Sequence, residues 1–177
     1  MTAREYHDLL NKKYDEKPSE SEVIEIDNKI REYNQKLIEK YPWLLPRNRW
    51  TDKVVYDYDY SWTELDNLPE GWRITFGDSI CEEIQSELEK FNYVDRYRIL
   101  QIKEKYGSLR WYDSGVPKDC QIPKIIRKYE NLSETICICC GAPATKMSTG
   151  WISYYCDEHA NNKYEHYVDI KEEENAE

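Results

Sequence analysis

Residues 137–159 read CICCGAPATKMSTGWISYYCDEH, placing four of the chain's six cysteines and one of its three histidines within 23 positions. The spacing is Cys137-x2-Cys140, then 15 residues, then Cys156-x2-His159. A C-x2-C pair at a tight turn lets two thiolates converge on one ion. Gly141, directly behind it, supplies the left-handed backbone that such a knuckle commonly needs. The second pair is expected at the start of a helix, where positions i and i+3 face the same way and the helix N-terminus favours thiolate charge. Three thiolates and one imidazole, Cys137, Cys140, Cys156 and His159, form a closed tetrahedral set, the pattern of structural zinc. Cys139 competes with Cys137 as a ligand, although adjacent cysteines close a knuckle less well, and His166 is a weaker substitute for His159.

The order knuckle, hairpin, helix resembles a treble-clef finger. Ala142–Tyr155 would then be the hairpin, Thr149-Gly150 would lie near its turn, and Trp151 and Tyr155 would pack beside the metal. Four protein ligands leave no open position for water, so hydrolytic chemistry is not expected at the ion. Nucleases of the HNH type use similar scaffolds but need a histidine on the hairpin, and none occurs between Gly141 and Tyr155.

Outward from this block, the composition points to a folded, soluble chain. Charged residues make up 34% of it and the mean hydropathy is strongly negative, yet 16 Tyr and six Trp supply large amphipathic surfaces for a core. The first 20 residues lack the apolar stretch of a signal peptide, and no run approaches the roughly 18 apolar residues of a membrane span. A cytoplasmic location is expected. In a reducing compartment, clustered cysteines point to metal rather than disulfides.

The expected fold is α+β, with segments at 1–41 (N-terminal helices), 42–135 (core), 136–170 (zinc knuckle) and 171–177 (acidic tail). A short helix is read at 2–14. A longer one comes after Pro18, with Ser19 and Glu22 as a capping box and Val23, Ile26, Ile30, Tyr33, Leu37 and Ile38 at helical spacing. Residues 42–72 are read as ordered but irregular, pinned by Trp43, Trp50, Trp62 and Trp72. A helix is expected at about 79–92 through Ile80, Ile84, Leu88 and Phe91. A β-hairpin comes next, 97–104 and 108–113, with Leu100 and Ile102 facing one way and Leu109 and Trp111 completing the face. Further helices are expected at about 120–132 and from Cys156.

Candidates for chemistry outside the zinc block are few. Phe76-Gly77-Asp78-Ser79 resembles the nucleophile block of GDSL-type hydrolases, but the required downstream Asp-x-x-His is missing, and Ser79 with Glu82 reads as a helix cap. A hydrolase using Asp78/Ser79 or the carboxylates Asp57, Asp59 and Glu64 is the least favoured reading. Cys81 shares a face with Ile84 and Leu88, as a buried structural thiol would. His7 stands alone in an amphipathic helix.

The net charge of −10 is uneven. Residues 54–70 hold five acids and no base, whereas 96–112, RYRILQIKEKYGSLRWY, hold five bases and one acid. Arg96, Arg98, Lys103, Lys105 and Arg110 beside Tyr106, Trp111 and Tyr112 are the residue types that bind nucleotides or single-stranded nucleic acid. The competing reading has long cationic side chains covering aromatic rings, and the field of an acidic chain opposes a polyanion.

Together, YPWLLPRNRW (41–50), ILQIKEKYGSLRWY (99–112) and the Cys-x2-Cys-Gly…Gly-Trp…Cys-Asp-x-His block resemble a group of small proteins of bacteria and their phages. In that group an ILQIKEKFGGLRFY-type hairpin precedes a C-terminal zinc knuckle. The resemblance covers about 41–160 and transfers no catalytic residue. It implies a phage or prophage origin and a place in the cytoplasm of a bacterial host cell. By association it implies a protein that binds a host protein, including inhibition of a bacterial defence system such as CRISPR-Cas. The expectation is therefore a non-enzymatic, zinc-stabilised interaction protein. The alternative is a nucleic-acid or nucleotide binder working through 96–112.

Overall fold

Reciprocal caps open the first two helices of the computed structural model, which describes residues 1–161 and 165–170. The Thr2 hydroxyl accepts from the Glu5 N–H at 3.2 Å while the Glu5 carboxylate accepts from the Thr2 N–H at 2.7 Å, and α1 runs Ala3–Asp15. Ser19 and Glu22 repeat this arrangement, as their spacing predicts, ahead of α2, Glu20–Lys40. The helices are antiparallel: Lys13 pairs with Asp27 at 2.5 Å, and the Tyr6 and Tyr33 rings lie 5.2 Å apart. Tyr6, Ile26 and Ile30 make a small core of their own, while Leu37, Ile38 and Tyr41 join the main one. The segment 1–41 is thus packed into the body of the protein.

The spine of the main core is α3, Glu70–Phe91. Trp72, Phe76, Ile80, Ile84 and Leu88 recur every fourth residue and are all buried, a stripe that one helix face presents to the core. This helix starts at Glu70 and not near 79, so Ser79 and Glu82 are mid-helix residues rather than a cap. Gly71, Thr75 and Gly77 are poor helix formers and concealed the first two turns. Asp78 and Ser79 sit exposed on a continuous helix, without the sharp turn a hydrolase nucleophile needs, and Asp78 pairs with the buried Arg73 at 3.3 Å.

Against α3 pack the strands β1 (Arg98–Lys105) and β2 (Ser108–Ser114) and the helix α4 (Ile122–Ser133). The hairpin turns at Tyr106-Gly107 as expected, but its register shifts between Ile99 and Gln101. This bulge turns Leu100 outward, 40% exposed, while Ile102, Leu109 and Trp111 remain buried. Trp111 Nε1 donates to the Tyr97 hydroxyl at 2.9 Å, which donates to Asp113 at 2.8 Å, closing a buried polar chain. Of the four expected Trp pins in 42–72, Trp43 and Trp72 are buried; Trp50 is 91% exposed and Trp62 38%.

The C-terminal part forms a second, three-stranded antiparallel sheet in the order β4–β3–β5, with β3 at Lys146–Ser148, β4 at Tyr154–Tyr155 and β5 at Tyr167–Asp169. The helix expected from Cys156 is replaced over Cys156–His159 by a turn. A ligand pair at i and i+3 suits a turn as well as a helix, and the turn here leads on to β5. The expected acidic tail at 171–177 lies outside the described residues. No helix among the described residues is long and apolar enough to cross a membrane.

Both α1 and α3 hold a residue whose replacement tests this packing. A Cβ at Gly71 would lie 2.2 Å from the Cys137 carbonyl oxygen and 2.6 Å from the Gly141 nitrogen, both backbone atoms. Gly71→Ala gains about 1 kcal/mol of helix propensity yet should cost about 3 kcal/mol net, lowering Tm by roughly 6–12 °C. Thermal unfolding of the variant checks this, and a Tm at or above that of the parent contradicts it. His7 lies in α1 with Nε2 buried and unpartnered, and burial pushes its pKa below the ordinary histidine value, with Glu70, Asp66 and Asp8 opposing and Arg73 assisting. The neutral form is the one the fold accepts. Its contribution to stability is therefore complete above about pH 6.5 and lost as pH falls from there through the depressed value. Urea midpoints at pH 7 and 5.5 should differ less for His7→Phe than for the parent.

Candidate metal centre

The first ligand pair is set by the loop that leaves α4. Ile136 bridges to Pro143, the Cys137 N–H donates to the Ala142 carbonyl at 2.7 Å, and the Gly141 N–H donates to the Cys137 carbonyl at 2.9 Å. Gly141 closes this loop at φ +77, the conformation its position in the sequence predicts. The second pair is carried in by β4. The Ile138 N–H donates to the Tyr154 carbonyl and the Thr145 N–H to the Tyr155 carbonyl, each at 2.9 Å, which lays Cys156 beside the first knuckle. The Cys156 carbonyl then accepts from the His159 and Ala160 N–H groups at 3.1 and 3.0 Å, folding His159 back toward its own cysteine.

The result brings together the four predicted residues. One ligand atom from each of Cys137, Cys140, Cys156 and His159 lies within 4.8 Å of the others, and among the described residues no other group of three or more His, Cys, Asp or Glu does so. Cys140 Sγ and Cys156 Sγ are 3.8 Å apart, and His159 approaches Cys156 Sγ through Nδ1 at 3.2 Å. The sulfur separation is far beyond the roughly 2.05 Å of a disulfide, and all six cysteines are free. Burial alone would push the Cys137 thiol up, but N–H groups of Cys156, Cys140 and Cys139 directed at its sulfur bring it below the ordinary cysteine value. The Cys140 thiol is pushed the other way, up to about 11, by burial and by the Cys137 and Cys156 sulfurs beside it. Cys139 is half-buried and outside the set, and so is the exposed His166, whose carbonyl instead accepts from the Thr149 N–H at 2.9 Å. Trp151 does not pack beside the ligands: it is 69% exposed, with Nε1 3.4 Å from Glu104 on β1.

The other sequence candidates are dispersed. Asp59 pairs with Arg31 at 2.8 Å, Asp57 is exposed, and Glu64 lies half-buried at a cleft beside β1. Cys81 is fully buried, as expected, and burial holds its thiol far above the ordinary value. Within the basic hairpin, Trp111 belongs to the core and is not available to a ligand. The cations are engaged locally. Lys103 lies over Tyr112 and Lys105 over Tyr106, each 5.3 Å from the ring centre, and Arg96 lies over Tyr93 at 4.9 Å. Arg110 donates to the Ser108 hydroxyl and the Leu109 carbonyl, and Arg98 pairs with Asp52 at 3.2 Å. Sequence reasoning missed Arg47 and Arg49, which line that cleft together with Trp62. They fall within the 41–50 stretch of the resemblance, which assigns them no role; they meet β1 only through the path of an irregular segment.

No protein family, curated protein or solved structure matches the chain.

The ligand geometry predicts one bound metal ion per chain, measured by elemental analysis of the purified protein. Cys140→Ser and Cys156→Ser should abolish stoichiometric metal, whereas Cys139→Ser and His166→Ala should retain it. Loss of the ion from Cys139→Ser would show the knuckle to close differently.

Proposed function

We propose that the protein is a non-enzymatic interaction protein whose C-terminal module is held together by a structural zinc ion. Three thiolates and an imidazole are the donor set that favours zinc. Zinc–sulfur bonds of about 2.3 Å in a tetrahedron imply sulfur separations of about 3.8 Å, and the Cys140–Cys156 separation is 3.8 Å. A fully ligated ion holds the chain and leaves no place for a reacting water.

The observation that carries the interaction reading is the aromatic display on 46–62. Trp50 is 91% exposed and Tyr56 89%, yet the segment bearing them is tied down. The Asn48 side chain accepts from the N–H groups of Trp50 and Thr51 at 3.0 Å, the Asn48 N–H donates to the Lys53 carbonyl at 2.8 Å, and Arg47 bridges to Val54. Further on, Asn34 of α2 donates to the Tyr60 carbonyl at 2.9 Å, and Tyr58 donates to the Trp62 carbonyl. Large aromatic side chains held out on a rigid turn are the residues that dominate protein–protein binding energy, because little ordering entropy remains to be lost. The acidic character of the chain suits a protein partner better than a polyanion.

That the partner is a host protein, that it belongs to a bacterial defence system, and that the protein is phage- or prophage-encoded and cytoplasmic are proposals resting on the sequence resemblance. A Trp50→Ala/Tyr56→Ala double variant should keep the parental Tm, since exposed positions move stability by no more than about 0.5 kcal/mol. In a pull-down from bacterial lysate it should lose a partner that the parent retains in stoichiometric amount. Recovery of nucleic acid with no protein partner, or equal capture by parent and variant, would sink this reading.

A further inference from the structure

The two-stranded sheet has an unusual neighbour. A cleft of about 450 Å³ runs beside β1 and is lined by Arg98, Ile99, Leu100, Gln101 and Ile102 on one side, and by the 47–67 segment on the other. The cleft follows five consecutive residues of β1 across the register shift between Ile99 and Gln101, and it reaches Ser114 at the end of β2. Those five residues span about 13 Å of strand backbone. β1 pairs on its other edge with β2 alone. Among the described residues, no backbone group of residues 98–102 bonds to main chain beyond that pairing. An edge of this kind is a template for another strand.

The cleft as a whole carries three arginines, Arg47, Arg49 and Arg98, against two acids, Asp52 and Glu64, although the chain is strongly acidic. Arg47 and Arg49 line the cleft, neither with a carboxylate at ion-pair distance among the described residues, and Arg47 Nε is buried without a hydrogen-bond partner. Arg98 is matched by Asp52. Glu64 is the remaining acid on the lining, and its burial pushes it toward the neutral form, with Arg49 opposing. Trp62 adds a partly exposed aromatic wall.

We propose that this cleft is a docking slot for an extended acidic peptide segment of a partner protein, which adds to β1 as a third strand while its carboxylates meet Arg47 and Arg49. The proposal rests on the interaction reading and names its site and the chemistry of its partner. Main-chain hydrogen bonds to the β1 edge would supply generic affinity, and the arginines would select against basic segments.

The test uses the full-length, metal-loaded protein and a synthetic octapeptide alternating valine and glutamate, titrated to millimolar concentration and followed by amide NMR. Shifts are expected at the backbone amides of residues 98–102 and at the Trp62 indole. The valine–lysine counterpart, and Arg49→Glu with the original peptide, should each bind at least about tenfold more weakly. Arg49 is exposed, so its replacement leaves the fold intact. Because alternate N–H groups of a strand face its neighbour, N-methylation of one alternating set of peptide nitrogens should abolish binding while the other set is tolerated. The slot is overturned by any of three results: no shifts at these amides, equal binding of the acidic and basic peptides, or indifference to both methylation patterns. A short single-stranded DNA that shifts the same amides at lower concentration overturns it too, in favour of a polyanion. If a lysate partner captured through Trp50 and Tyr56 binds Arg49→Glu as well as the parent, the slot fails while the interaction reading survives.

Discussion

The C-terminal module depends on one backbone-to-backbone contact, the docking of the Cys137–Gly141 knuckle on the first turn of α3. The Gly71 N–H donates to the Ile138 carbonyl at 2.9 Å, and the Thr75 hydroxyl lies within hydrogen-bond distance of the Gly71 and Gly141 carbonyls. Main chain meets main chain here because neither Gly71 nor Gly141 carries a side chain. A third glycine repeats the device at the far side of the module. Gly107, at φ +75 in the β1–β2 turn, leaves room for the Tyr154 ring, which a Cβ would approach to 2.8 Å. Glu104 secures the same corner, accepting from the Gly107 N–H and lying within reach of Trp151 Nε1.

The C-terminal module has little apolar core of its own. Among the described residues of 136–170, the only buried apolar ones are Ile136 and Cys137, with Ser148 and Ser153 the only other buried positions. Ordering each residue costs about 1–2 kcal/mol of backbone entropy, and burial of so little apolar surface does not offset it. A zinc ion held by the four ligands would contribute an apparent free energy of about 10–16 kcal/mol, comparable with the whole stability of a typical domain. The body of the protein is different: α3 alone places a five-residue apolar stripe in a continuous core.

Local chemistry was legible in the sequence where a residue acts on near neighbours. Ser19 and Glu22 cap α2 through contacts three residues apart, and the Cys-x2-Cys and Cys-x2-His pairs converge as their spacing requires. The start of α3 was hidden because Gly71 is needed for a contact with residues almost seventy positions away, and its cost in helix propensity is visible while its purpose is not. The bulge that turns Leu100 outward, the turn in place of a helix at Cys156, and the exposure of Trp50 have the same origin. Each is decided by tertiary neighbours rather than by residue type. Of the arginines that line the β1 cleft, Arg98 reads in sequence as part of a basic hairpin and Arg47 and Arg49 as part of an irregular segment. Only the fold brings them together.

The central claim is that the metal site organises the C-terminal module and clips it to α3. Amide hydrogen exchange of the metal-loaded and chelator-stripped protein tests it directly. The account predicts that stripping deprotects 136–160 together with the first turn of α3, 70–75, while the later turns of α3 and the β1–β2 hairpin keep their protection. Unchanged protection of 136–160 and 70–75 after complete removal of the metal would contradict it.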